Sequence, residues 1–295
     1  EFPTIDWKHP YELTAGERDV IERMETAFRN CEKLQKHMRL LLDKGGLYKI
    51  YNGNLLFHGC IPLNEDGSLK EIQIYGKKYK GRELYDVLET YVRRAFFAVD
   101  SMEQRKGMDI LWFIWASPSS PLFGKDKMTT FERYFIADKE THKETKGAYY
   151  HLLENEEVVD TLLQEFDLSP ENGHIINGHV PVHQGEGESP VKCNGKVIVI
   201  DGGFCKAYQK VTGIAGYTLI YNSYGLILSA HEPFTSKEDA VSKESDIVSN
   251  RVSVHYTSKR RLVGDTDTGK ALRERIEELM QLLDAYRKGY IKEKK

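Results

Sequence analysis

Two short stretches of this chain are built alike, and each presents a side chain able to bind a metal. They are Leu55-Leu56-Phe57-His58-Gly59-Cys60-Ile61-Pro62 and Ile175-Ile176-Asn177-Gly178-His179-Val180-Pro181. Each runs an apolar strand into a histidine beside a glycine. A neutral imidazole is a common ligand for divalent metals, and glycine lets a backbone or a ligand come close. If the two strands are neighbours, both imidazoles reach one sheet edge and form half of a dinuclear metal site. The carboxylates that would complete it are not evident. His174 and His183 flank the second stretch; loop polarity is the plainer account of His174, while His183 could face the site.

Other clusters are less specific. Residues 121–133 place Lys125, Lys127 and Arg133 near hydroxyls and Gly124, chemistry suited to clamping phosphate oxygens or simply to a solvated loop. Gly202-Gly203-Phe204-Cys205-Lys206 follows an apolar run like a phosphate-cradling turn, but it lacks the Walker pattern. Asp201 could orient a histidine, approach a metal or cap the turn. Tyr217, Tyr221 and Tyr224 are most simply hairpin packing. Gly264-Asp265-Thr266-Asp267 departs from the calcium-loop spacing, so helix capping is the better account. No GxSxG, HExxH or Cys/His nucleophile pattern occurs.

The elements that must position these groups follow from the apolar spacing. Thr14 and Glu17 make a capping box, and Ile21, Met24, Phe28, Cys31, Leu34, Met38 and Leu41 predict one long helix ending at Gly45-Gly46. Residues 47–51 and 55–58 flank Asn52-Gly53-Asn54 as a hairpin, so His58 ends a strand. An extended pair is expected near 71–79 and a helix over 82–106. The nearly all-apolar 109–115 (DILWFIW) predicts a strand covered on both faces. A helix over 154–166, a strand over 174–177 delivering His179, a mobile loop over 182–195 and a buried strand over 196–201 come next. A hairpin over 217–230, a helical stretch near 236–243, a strand over 247–256 and a charged helix over 269–288 complete the chain. Strands and helices interleave, so the fold class is mixed α/β. The expected divisions are an N-terminal helical segment (1–46), an α/β body (47–265) and a C-terminal helix (266–295).

With 295 residues the chain can bury a substantial core, and its 40% hydrophobic and 29% charged residues are ordinary for a globular protein. A net charge of −3 argues against general nucleic-acid or membrane-surface binding. No apolar run reaches the roughly 20 residues of a membrane span, and the four cysteines form no CxxC pair. Cytoplasmic localisation is the expectation. The chain opens on Glu1-Phe2-Pro3, without methionine, and is expected to be part of a longer polypeptide.

The runs FHGCIP, DILW, NGHVP and KVIVIDGGF resemble the second half of the calcineurin-like metallophosphoesterases. Longer runs narrow the resemblance: YNGNLLFHGCIPLN, SPLFGKDKMTTFERYFI, INGHVPV, VIVIDGGFCKAYQ and TGIAGYTLIYNSYGL are similar to the Firmicutes-type (class III) fructose-1,6-bisphosphatases. The resemblance implies a sandwich of two mixed sheets flanked by helices, of which this chain would be the C-terminal half. It implies a manganese-dependent phosphoric monoester hydrolase of gluconeogenesis, which converts fructose 1,6-bisphosphate to fructose 6-phosphate and phosphate at a two-metal centre. His58 and His179 would be metal ligands; Lys125, Lys127, Arg133, Lys206, Tyr221 and Asn222 would meet or support the substrate. The family's Asp-x-His, Gly-Asp-x-x-Asp and Gly-Asn-His motifs do not occur here. No catalytic residue is therefore expected in this chain, and the remaining ligands would lie on the enzyme's N-terminal half.

The alternative class is a non-catalytic module that binds a phosphometabolite or assists assembly and so regulates the enzyme. The resemblance also implies phosphoenolpyruvate and AMP as effectors; a homo-oligomer is expected, and the charge and apolar pattern point to no nucleic-acid or membrane partner. A generic phosphoprotein phosphatase is disfavoured by the long sugar-phosphatase-like runs.

Overall fold

A computed structural model of the chain describes residues 2–201, 204–234, 236–244 and 249–292. Thr14 caps the first helix, α1 (Ala15–Asn30), with its hydroxyl on the Glu17 N–H, and Glu17 reaches back to the Thr14 N–H. The single long helix expected here is instead two. Cys31 turns the chain at φ −75°, ψ 95°, and α2 (Glu32–Lys44) follows. Asn30 and Cys31 are weak helix formers, and α1 buries no residue, so nothing holds the two on one axis. Helix α2 is anchored through Leu42 and by Arg93, which bonds the carbonyls of Leu42 and Gly45.

The first hairpin, β1 (Tyr48–Tyr51) and β2 (Asn54–Phe57), turns through Asn52 and Gly53 at φ 51° and 80°. Both values lie in the left-handed region that an Asn-Gly turn requires. A small ribbon follows, β3 (Ile72–Ile74) with β4 (Lys77–Tyr79). Next come two packed helices, α3 (Gly81–Phe97) and α4 (Ser101–Ala116).

The helix α4 replaces the strand expected over 109–115. Asp100 caps it, accepting from the Glu103 N–H at 2.9 Å. Ile110 and Ile114, four residues apart, are buried against α3, whereas Leu111, Trp112 and Trp115 are exposed. A short all-apolar run cannot by itself distinguish a strand from a helix; here the helix extends it backwards to Ser101. Gly107 permits the close crossing, since a Cβ there would stand 2.6 Å from the Ala95 Cα. Ile72, Ile74, Leu84, Leu88, Ile110 and Ile114 form a small second core.

Short helices α5 (Thr130–Phe135) and α6 (Ala148–Leu152) lead into α7 (Glu156–Glu165), capped by Asn155. The rest of the main sheet is β5 (His174–Asn177), a short β6 (Val191–Lys192) inside the expected loop, and β7 (Val197–Val199). Its order is β1-β2-β5-β7-β6, with β2, β5 and β7 mutually parallel and both edges antiparallel.

Helix α8 (Lys206–Thr212) precedes a hairpin of β8 (Gly216–Asn222) and β9 (Gly225–His231). Helix α9 (Lys237–Ser242) then leads to β10 (Ser249–Tyr256), which pairs with β9, and α10 (Asp267–Arg287) closes the chain. Of the strand expected over 247–256, residues 247 and 248 lie outside the described residues.

The fold is therefore mixed α/β, but not two mixed sheets: the second sheet, β10-β9-β8, is wholly antiparallel. The two sheets share one core. Leu55, Ile175, Val197 and Ile198 of the first join Tyr217, Leu226 and Leu228 of the second, with Tyr85, Tyr149, Val159, Leu162, Leu163 and Phe166 from the helices. Thr266 caps α10 through the Gly269 N–H, so capping rather than calcium explains the Asp-Thr-Asp run. Among the described residues no helix is long and apolar enough to cross a membrane.

Candidate metal and phosphate site

The three parallel strands all end at one edge of the main sheet. That edge is where open sheets of this kind hold ligands, because the loops leaving the strand ends diverge there. His58 follows β2, Gly178 and His179 follow β5, and Asp201 follows β7 two residues beyond its end. The backbone ties these ends together. Gly178 N–H donates to the His58 carbonyl at 2.9 Å, Ile200 N–H to Asn177 at 2.8 Å, and Val182 N–H to Asp201 at 2.8 Å. Gly178 is wedged in the middle, where a Cβ would lie 3.6 Å from the Asp201 Cβ and 3.7 Å from the His58 carbonyl oxygen.

This packing brings the two imidazoles together. His58 Nε2 stands 3.0 Å from His179 Nδ1, with ring centroids 4.8 Å apart and planes at 62°. His179 is held in place at φ 69°, a left-handed conformation that a non-glycine residue rarely adopts. The Phe123 ring lies 6.3 Å from it, edge to face. Burial pushes the His179 pKa below the ordinary histidine value. The neighbouring His58 and Lys125 charges push the same way, and the Phe123 backbone and Asp201 act against them. That direction favours the unprotonated ring, the state in which imidazole binds a metal.

Two imidazole nitrogens on one ion, with bonds of about 2.1 Å, stand about 3 Å apart when the bonds meet near a right angle. The observed separation fits that arrangement. Among the described residues, the buried Asn177 Oδ1 and His179 Nε2 at this edge have no hydrogen-bond partner. Such orphans mark a place where a polar ligand is wanted. The set is nevertheless short: among the described residues no group of three or more His, Cys, Asp or Glu side chains is gathered for a metal ion. The histidines fit a metal as two donors of a larger set.

The remaining sequence-expected residues fall into separate groups. Lys125 lies close enough for its charge to act on His179 and is paired with Glu144, Nζ to Oε2 2.8 Å. It also lines a cavity of about 270 Å³ together with Lys70 and Lys146. Lys127 is exposed beside it. Arg133 spends its guanidinium on the loop, donating to Thr129 Oγ1 at 3.0 Å and the His142 carbonyl at 2.9 Å. Lys206 is exposed at the start of α8, after Gly202 and Gly203, which lie outside the described residues, so the cradle-like turn expected there has no described form.

Tyr221 and Asn222 sit at the tip of the β8–β9 hairpin. Tyr221 Oη accepts from Arg261, and Asn222 Oδ1 caps the turn through the Tyr224 N–H. That tip borders a cavity of about 340 Å³ with His255 and Tyr256. His255 packs on His174, at the start of β5, whereas His179 follows the strand's other end. The structure thus pairs His58 with His179, sets Asp201 against Gly178 at the same sheet edge, and leaves Tyr221 and Asn222 away from them.

Two flanking histidines also have defined places. His183 Nδ1 is 3.8 Å from Glu186. His174 is not a polar loop residue: it is 6% exposed and its ring meets His255 at 5.0 Å. Glu144 escaped the sequence entirely. Its partner lies 19 positions away across a loop, and no local pattern marks such a pairing.

Comparison with known proteins gives concordant matches. The family model described as Firmicute fructose-1,6-bisphosphatase matches residues 1–288. A fructose-1,6-bisphosphatase class 3 of Clostridioides difficile (strain 630) is 57% identical over 292 residues. Proteins of the same description from Clostridium tetani and Clostridium botulinum (strain Loch Maree) are 55% and 54% identical. In each case the match covers 99% of this chain and 44% of the relative, so the chain spans under half the length of these proteins. No solved structure matches it.

Proposed function

The chain belongs to the Firmicute fructose-1,6-bisphosphatase family, and from that premise we propose that it carries the histidine part of a metal centre that hydrolyses fructose 1,6-bisphosphate. The products would be fructose 6-phosphate and phosphate. The observation that carries this reading is the 3.0 Å approach of His58 Nε2 and His179 Nδ1 at the ends of two parallel strands. The shared core of the mixed and antiparallel sheets supports a metallophosphoesterase-like sandwich.

His58 and His179 would hold a divalent ion, Mn²⁺ in this reading, with the other donors supplied by the remaining length found in the relatives. A bound ion there would polarise a phosphoryl oxygen and lower the pKa of a coordinated water. The chain's own residues do the rest. The two imidazoles supply nitrogen lone pairs only while unprotonated, so acid opposes binding. The Lys125 ammonium, two residues along the loop from the Phe123 that packs on His179, would neutralise charge on a phosphate oxygen. The loop through Phe123 covers one side of His179.

A second reading is favoured for this chain on its own by one observation, the lack of a third donor among the described residues. It makes the chain a phosphometabolite-binding module of the larger enzyme. Phosphate release from fructose 1,6-bisphosphate, measured with and without Mn²⁺, separates the two. Manganese-dependent turnover by this chain or by the longer polypeptide that contains it supports the hydrolase. Binding of the sugar phosphate with no turnover in either supports the module.

A further inference from the structure

Lys125 is held in place by a partly buried anion, Glu144, that nothing in the sequence singled out. Glu144 Oε2 accepts from Lys125 Nζ at 2.8 Å, and its Oε1 accepts from the Thr129 N–H at 3.1 Å and the Thr129 hydroxyl at 2.8 Å. Both ends of the ion pair are largely covered, with side-chain exposures of 25% for Lys125 and 18% for Glu144. Thr129 is wholly buried and in turn receives Arg133 Nε at 3.0 Å. The backbone sets the two strands of this loop in register. Lys125 bridges Lys146, Asp126 N–H donates to Thr145 at 3.0 Å, and Gly147 N–H to Gly124 at 2.9 Å. Burial alone would raise the Glu144 carboxyl, but bonds from Lys125 and Thr129 hold it down at about 2.

A lysine at a site edge is ordinarily a flexible point charge on a four-carbon stem. Here its stem is fixed by a carboxylate whose own oxygens are both engaged, while among the described residues Glu144 is the one partner of an ammonium that carries three N–H donors. We infer that Glu144 is a positioning residue, which pins the Lys125 ammonium on the loop whose Phe123 packs against His179, so that it meets a phosphate oxygen of the substrate. This rests on the proposed phosphatase reading for the identity of the ligand, but not for the geometry.

The test is a double-mutant cycle of Glu144→Gln and Lys125→Met in the polypeptide that turns over the substrate. It is read by KM for fructose 1,6-bisphosphate, by kcat, and by inhibition with inorganic phosphate. A charged hydrogen bond of this kind is worth roughly tenfold or more in affinity. E144Q is therefore expected to raise KM and the phosphate inhibition constant about tenfold, with kcat changed much less. In the K125M background the same substitution is expected to add nothing, because its effect runs through the missing ammonium. An equal effect of E144Q with and without Lys125 would overturn the inference, as would phosphate inhibition unchanged in K125M. Should E144Q fail to fold, Thr129→Val removes one anchor of the carboxylate and leaves the ion pair. It is expected to give a smaller loss in the same cycle, rescued by Thr129→Ser; additivity there would also refute the inference. If the wild type releases no phosphate, inorganic phosphate binding followed calorimetrically replaces KM. The cycle then stands or falls by itself while the phosphatase reading fails.

Discussion

Acid should destabilise the fold through one histidine remote from the candidate site. His174 is buried at the start of β5 against His255. Burial, with the charges of His255 and Arg261, lowers its pKa from 6.5 to about 4. In the unfolded chain the ring takes a proton near pH 6.5; in the folded chain it stays neutral until about pH 4. Between those values the unfolded state binds more protons, so stability present above pH 6.5 is lost as the pH falls and levels off below 4. A shift of about two and a half units, at ~1.4 kcal/mol each, makes the loss about 3 kcal/mol. Most of it falls above pH 4.5, before Glu144, whose carboxyl is held down from 4.5 to about 2, begins to titrate. The assay is equilibrium urea unfolding from pH 7.5 to 4 on the wild type and on His174→Phe, which keeps a ring and removes the proton site. The two stability curves should converge by about 3 kcal/mol on acidification. Parallel curves would show that His174 is not neutral in the folded state and would refute the reasoning.

Other expectations are simpler to check. His58→Ala or His179→Ala should lower Mn²⁺ affinity by more than the roughly 10–100-fold that loss of a supporting partner costs, and metal analysis after gel filtration reads it. Gly59→Ala should cost about 1–3 kcal/mol by overpacking, since its Cβ would meet the Pro121 carbonyl oxygen at 2.7 Å. Thermal melting gives that cost, and an unchanged Tm would mean the Pro121 loop yields freely. Ile175→Ala, at a residue with no exposed surface in the shared core, should cost about 2–5 kcal/mol in denaturant unfolding.

Local signals carried much of the fold. The Asn52-Gly53 turn, the Thr14 box and the apolar strands ending at Asn177 and Val199 stand where their residues place them, because each depends on neighbours a few positions away. The segment Asp109–Trp115 went the other way. Its seven apolar-rich residues suit a strand or a helix equally, and the decision came from Asp100 and Gly107, outside the run. The break at Cys31 goes with an α1 that buries none of its residues, which no periodicity records. At the site, the His-Gly contexts pointed to His58 and His179, and their adjacency required the parallel pairing of β2 with β5. Glu144 and the burial of His174 depended on contacts between distant segments, and composition and spacing are silent about those.

The parallel pairing that joins the histidines has a consequence for how the chain acquires its site. His58 and His179 are 121 positions apart, and their strands pair through a three-residue register of β2 with β5. Hairpins β1–β2 and β8–β9 can close quickly, since their strands are consecutive, but β2 and β5 must meet across the whole intervening length, the slow kind of step in folding. The imidazole pair is therefore among the last features to form. Closure entropy grows only with the logarithm of loop length, about 0.6 kcal/mol for each doubling. The segment between the two strands can thus gain or lose surface residues over evolutionary time at little energetic cost, so long as the ends of β2 and β5 stay in register.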